Sequence, residues 1–112
     1  MLHLVATAHA SQRARERLRW HARTVDRMLE RVFYFGISAK DCSSLLRGYL
    51  DALPHEPGQN VIRVYGQLVF VFAHDYDAAT ARLLTVYALP GTYRPAARRA
   101  QHQPRAGLAL AA

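Results

Sequence analysis

Two strand-like runs separated by only two residues restrict this chain more than any other feature. Val61-Ile62-Arg63-Val64-Tyr65 and Leu68-Val69-Phe70-Val71-Phe72 are rich in β-branched and aromatic side chains, and Gly66-Gln67 lies between them. So short a connection requires the two runs to pair as an antiparallel hairpin. A third run, Arg82 to Ala88, follows the loop that begins at His74-Asp75-Tyr76-Asp77, and Leu89-Pro90-Gly91 stops it. The second half of the chain therefore reads as an antiparallel meander.

The first half reads as one short strand followed by helices. Leu2, Leu4 and Ala6 alternate with His3, Val5 and Thr7, as a strand requires. Thr7 is a good N-cap for a helix that begins near Ala8 and carries the apolar stripe Ala10, Ala14 and Leu18. Val25, Met28, Leu29 and Val32 recur at helical spacing in a second helix, from about Thr24 to Phe35. Asp26 and Glu30 with Arg23, Arg27 and Arg31 give it a solvated, salt-bridged side, and Gly36 ends it. Ser38 is the expected N-cap of a third helix, with Asp41 at N3 and Leu45, Leu46, Tyr49 and Leu50 on its buried face. Pro54 to Gly58 is a turn cluster that closes the helical half.

These elements predict an α+β fold, in which the N-terminal strand and the helices, on one face, pack on a four-stranded antiparallel sheet. A chain of 112 residues suits one core. The domain is expected over residues 1–93, with residues 94–112 as a basic C-terminal tail whose end, Ala106 to Ala112, either forms a short helix or stays flexible. No apolar run approaches the roughly 20 residues of a membrane span. The apolar start lacks a basic leader, and the single cysteine, Cys42, reads as a small core residue. A cytoplasmic protein without a membrane partner is expected.

The net charge of +7 is uneven. Residues 1–34 hold seven arginines against Glu16, Asp26 and Glu30, and residues 91–112 hold four arginines and no carboxylate. The stretch between them is close to neutral. Such a field favours a polyanion, most simply nucleic acid, or an acidic protein. Arg13, Arg17, Arg23, Arg27, Arg98 and Arg99 are the candidate nucleic-acid contacts. The arginine bias (fourteen against the one lysine, Lys40) also fits an arginine-favouring genome.

Within the first basic segment, His9, Arg13 and Glu16 stand at i, i+4 and i+7, so a helix projects them from one face. A histidine moves protons near neutral pH, an arginine clamps a phosphate, and a carboxylate orients either. In the strands, Arg63 shares a face with Tyr65, and Thr85 shares one with Tyr87. Were these faces to converge on His9, they would complete a phosphodiester-cleaving site from His9, Arg13, Glu16, Arg63, Thr85 and Tyr87. The six histidines are scattered, and no phosphate loop, dinucleotide fingerprint or nucleophile elbow occurs, so neither a metal nor a cofactor is expected. Trp20, Phe33, Tyr34 and Phe35 form an aromatic cluster that reads as core packing, with Phe33 and Tyr34 as core and rim of the second helix; base stacking beside the arginines is the alternative.

A resemblance adds to this reading. The pattern is His9-Ala10-x-x-Arg13-x-x-Glu16-Arg17, then Gly36-Ile37-Ser38, then Val64-Tyr65-Gly66 before Val69-Phe70-Val71-Phe72, then Leu84-Thr85-Val86-Tyr87 and Pro90. It resembles small proteins of phages and mobile elements related to the RelE/ParE-like toxin superfamily, within the broader ribonuclease-type group of barnase, EndoU and colicin tRNases. It spans about residues 3–93. In the commoner relatives Gly-Ile-Ser follows the Glu-Arg pair almost directly. Here residues 18–35 intervene, either as an inserted helix or because the segments are only distantly alike. The resemblance implies one or two N-terminal helices on a four-stranded antiparallel sheet, and an RNA-binding toxin-type protein with metal-independent endoribonuclease chemistry. An antitoxin-like or host protein partner is also implied. Many members act by binding alone. The alternative is therefore a non-catalytic module that holds a host protein or nucleic acid through its arginine-rich faces. A third reading is self-association through an exposed edge strand.

Overall fold

The computed structural model describes residues 2–54 and 59–102. Strand β1 (His3–Ala6) leads into helices α1 (Ala8–Leu18) and α2 (Ala22–Phe35). A 3₁₀ turn at Ala39–Asp41 precedes α3 (Ser44–Ala52). The meander follows as β2 (Asn60–Tyr65), β3 (Leu68–Asp75) and β4 (Thr80–Ala88), and the described chain closes with α4 (Arg94–Gln101). The fold is α+β, as expected.

The hairpin forms where the two-residue spacing puts it. Tyr65 pairs with Leu68, and Gly66 takes φ +62° at the first central position, as a type II′ turn requires. β3 and β4 pair antiparallel with an irregularity between Val71 and Phe72. The sheet is not wholly antiparallel, however. Its order is β1-β4-β3-β2, and β1 lies parallel to β4 from His3↔Thr80 to Ala6↔Leu83. The tight turns dictate direction only within the meander. β1 is set instead by its exit into α1, where Thr7 binds the Leu83 carbonyl through both its amide (3.1 Å) and its hydroxyl (2.9 Å). The Thr7 hydroxyl also accepts from the Ala10 amide at 3.0 Å, so the expected N-cap is formed.

Helices cover both faces of the sheet rather than one. On the first face Ala10 and Ala14 of α1 and Val25, Leu29, Val32 and Phe33 of α2 bury against Phe70, Phe72, Leu83 and Val86. On the second, Leu46 and Leu50 of α3 and Ala96, Ala97 and Ala100 of α4 bury against Val64, Val69 and Leu89. Successive β3 residues serve opposite cores, which is why that strand is apolar without alternation.

Several boundaries move. α2 begins at Ala22, two residues before Thr24, with His21 at its N-cap position. Ser38 starts only the 3₁₀ turn, donating its hydroxyl to Asp41 at 3.0 Å. Ser43 is the cap of α3, accepting from the Leu46 amide at 3.5 Å. β3 continues through His74 and Asp75. Residues 94–101, expected in the tail, form α4 and help to close the second core. Gln101 ties it to the hairpin: its amide accepts from the Gly66 N–H at 2.8 Å and donates to the Gly66 carbonyl at 2.7 Å. The end of the expected tail and most of the turn cluster at 54–58 lie outside the described residues.

Candidate nucleic-acid interface

The α1 face forms as the spacing predicts. Arg13 Nε donates to His9 Nε2 at 3.3 Å, and Arg13 Nη1 pairs with Glu16 at 3.1 Å. Gln12 donates to the other Glu16 oxygen at 2.9 Å. The Gln12 amide, with the Arg13 charge, holds the Glu16 carboxyl below the usual carboxylate range. His9 is exposed, and its Nε2 accepts, so the neutral ring carries its proton on Nδ1. Among the described residues Arg13 Nη2 has no acceptor.

One turn further along α1, Arg17 reaches across the β4 edge. Its Nη1 donates to the Val86 carbonyl at 2.8 Å, and its guanidinium carbon sits 5.0 Å above the Tyr87 ring. β1 pairs only with residues 80–83 of β4, which is why the Val86 carbonyl stays accessible to a side chain. The Tyr87 ring itself packs on the second core, so it meets Arg17 across the sheet edge and does not converge on His9 as the strand pattern led one to expect. Thr85, opposite Val71 in the register, lies on the same strand as Tyr87 and is half-buried.

Arg63 does not join this group. β2 is two strand spacings from β4, roughly 10 Å. Arg63 lies beneath the end of α2, its Nε donating to the Phe33 carbonyl at 3.1 Å and its Nη1 to Ile62 at 3.2 Å. Its guanidinium carbon is 5.5 Å from the Phe33 ring centre. Burial lowers its pKa, against the opposing charges of Asp41 and Tyr76. The last turn of α2 has no basic residue of its own, and Arg63 supplies one to its carbonyl end. Its partner is a helix terminus rather than the His9 cluster.

The candidate phosphate contacts also divide. Arg13 and Arg17 of α1 and Arg23 and Arg27 of α2 lie on the elements of the first face. Arg98 and Arg99 are on α4, across the sheet. The expected salt bridges of α2 do not form: among the described residues neither Asp26 nor Glu30 lies within 4 Å of a guanidinium, and the ion pair found is Arg13–Glu16. Arg15, Arg23, Arg27 and Arg31 are exposed, and their guanidinium groups hold no hydrogen bond or ion pair with a described residue.

A groove of about 490 Å³ runs between the two helices, lined by Arg15, His21, Ala22, Arg23, Thr24 and Arg27. It adjoins a second hollow of about 290 Å³ lined by Ala8, Ser11, Gln12, Arg15 and Ala22. No side chain caps the N-terminus of α2 there, and its first turn holds no carboxylate, so the helix dipole adds to the positive field. Arg15 and His21 carry no signal in the sequence. They meet Arg23 and Arg27 only because α1 and α2 fold back on each other.

Among the described residues no three His, Cys, Asp or Glu side chains gather around a possible metal position, and no helix is long and apolar enough to cross a membrane. Cys42 donates to the Ser38 carbonyl at 3.4 Å, and burial, with Asp41 nearby, raises its thiol pKa, which disfavours a reactive thiolate. The chain matches no family model, no curated protein and no solved structure.

Proposed function

We propose that this protein binds RNA along the α1–α2 side of its sheet and cleaves it there without a metal ion, in the manner of the RelE/ParE-like toxins that its sequence resembles. The observation that carries this reading is the set of guanidinium groups, Arg15, Arg23 and Arg27, that have no partner among the described residues and line one groove beside the His9–Arg13–Glu16 face. Arginines with no protein acceptor are available to phosphate oxygens, which they bind through paired hydrogen bonds. In the cleavage step Arg13 Nε turns from His9 Nε2, and His9 takes the proton of the attacking 2′-hydroxyl there. The 2′ oxygen displaces the 5′ oxygen at phosphorus, and water protonates that leaving oxygen. With His9 protonated the two roles exchange, His9 as acid and water as base. Arg13 holds the phosphate through Nη2, and Glu16 fixes the Arg13 guanidinium. Arg63 takes no part in this scheme.

One observation favours a second reading, a binder without turnover. General acid–base cleavage uses two proton-transferring groups, and His9 is the one histidine on the α1 face. The two readings part in a single experiment, cleavage of total RNA or tRNA in EDTA by wild type and His9→Ala. The proposal expects discrete cleavage by wild type and its loss in His9→Ala. RNA retention should be nearly unchanged in the variant, because the Arg13–Glu16 pair and the groove remain. Retention by both proteins without cleavage by either leaves the binding reading alone. Absence of both cleavage and retention overturns the RNA assignment and points to a protein partner.

A further inference from the structure

An exposed aromatic shelf lies at the far end of α2 from the arginine groove. His74 and Tyr76 stack with ring centres 3.9 Å apart and 30° between planes. Phe33 anchors the shelf from below, meeting His74 edge-on at 5.7 Å and Tyr34 edge-on at 5.4 Å. Phe33 is buried, yet Tyr34 is 51 % and Tyr76 73 % exposed. An exposed tyrosine alone is unremarkable on a protein surface, but rings already held in a stack with an open outer face are not. The Arg63 guanidinium lies against Phe33 beneath the same cluster, and Arg31, without an ion pair among the described residues, precedes Tyr34 by three positions on α2.

We infer that this shelf stacks the unpaired bases of a single RNA strand whose phosphates run along the arginines of α2. The inference rests on the RNA-binding reading above and specifies its substrate class. Bases fit the shelf better than an apolar protein segment does. Its rings have polar edges, the exposed phenols of Tyr34 and Tyr76 and the half-buried imidazole of His74; Asp75 and Asp77 flank Tyr76, so the cationic path for the phosphates is the row of α2 arginines. A base adds a third ring to the His74–Tyr76 stack, which needs no sequence-specific hydrogen bond. Paired bases have no free face to offer, so duplex RNA is excluded from the shelf.

The test is fluorescence anisotropy with a labelled 2′-O-methyl oligouridine, which lacks the hydroxyl needed for cleavage, alone and annealed to its complement. Wild type, Tyr76→Ala, Tyr76→Phe and Tyr34→Ala are compared over a salt series. Tyr76 is largely exposed, so its truncation leaves the folded core intact. The expected result is roughly tenfold weaker binding of the single strand by Tyr76→Ala, and a loss in the same direction by Tyr34→Ala. Tyr76→Phe should restore binding, and the salt dependence should not change in any variant, because stacking releases no counterions. Binding of the single strand by Tyr76→Ala equal to that of wild type overturns the shelf and leaves the RNA reading standing. A loss that the phenylalanine does not restore, or one that alters the salt slope, also overturns it. Failure of wild type to bind the single strand at all overturns both.

Discussion

Gly36 sits where α2 ends against β2, and the space there admits no side chain. A Cβ at this position would run into the Val32 carbonyl and lie 2.9 Å from the Arg63 Cβ. Its backbone is extended, at φ −66° and ψ 158°, so the glycine is required by close approach and not by a left-handed cap. Gly48, within α3, is the opposite case, with open space around its missing Cβ. Gly36→Ala is therefore expected to destabilise the protein by about 2 kcal/mol, through the overpacking it forces. Gly48→Ala should stabilise it by about 0.5–1 kcal/mol, through helix propensity and a less free unfolded chain. Urea denaturation of the two variants checks both signs, and a stable Gly36→Ala would mean that α2 can lift from β2 without penalty. That α2 stops at Gly36 was legible in the sequence. The reason was not, because Val32 is one helical turn away but Arg63 comes from a strand 27 positions later.

At the scale of elements, what the sequence disclosed follows chain distance. The β2–β3 hairpin needed only Gly66 and Gln67, and the capping of α1 needed only Thr7 three residues before Ala10. The parallel docking of β1 on β4 joins residues 77 positions apart, and no local residue encodes its direction. α4 was hidden for another reason. Its buried residues are all alanines, Ala96, Ala97 and Ala100, a weak hydrophobic signal in a segment otherwise full of arginine. So thin an apolar face makes the Gln101 contact with Gly66 important, since it fixes α4 against the hairpin through two short hydrogen bonds. Gln101→Ala removes both at a cost of roughly 1 kcal/mol, felt locally. Amide hydrogen exchange should show faster exchange at Gly66 and through α4, with protection in the centre of β3 unchanged. Equal protection in wild type and variant would mean that the three alanines hold α4 unaided.

Over the whole molecule, the sheet decides which charges act together. In the sequence the basic residues form two blocks, near the two ends, and both were candidates for one polyanion surface. In the fold the described arginines of those blocks divide between opposite faces, with Arg23 and Arg27 on α2 and Arg98 and Arg99 on α4, separated by the strands and both cores. The His9–Arg13–Glu16 group was legible because one helical face encodes it. The exclusion of Arg63 and the entry of Arg15 and His21 were not, since each depends on how one element packs on another. The same division makes the RNA reading quantitative. Each phosphate contact on a single strand contributes roughly 0.7 to the slope of log affinity against log salt. Arg23→Gln with Arg27→Gln should then weaken RNA binding and flatten that slope by roughly 1.4. Arg98→Gln with Arg99→Gln removes the same formal charge from the other face and should leave the slope almost unchanged. Net charge alone predicts the same effect for both pairs, so a matched loss would replace the groove with a diffuse field. A loss confined to the α4 pair would move the interface across the sheet.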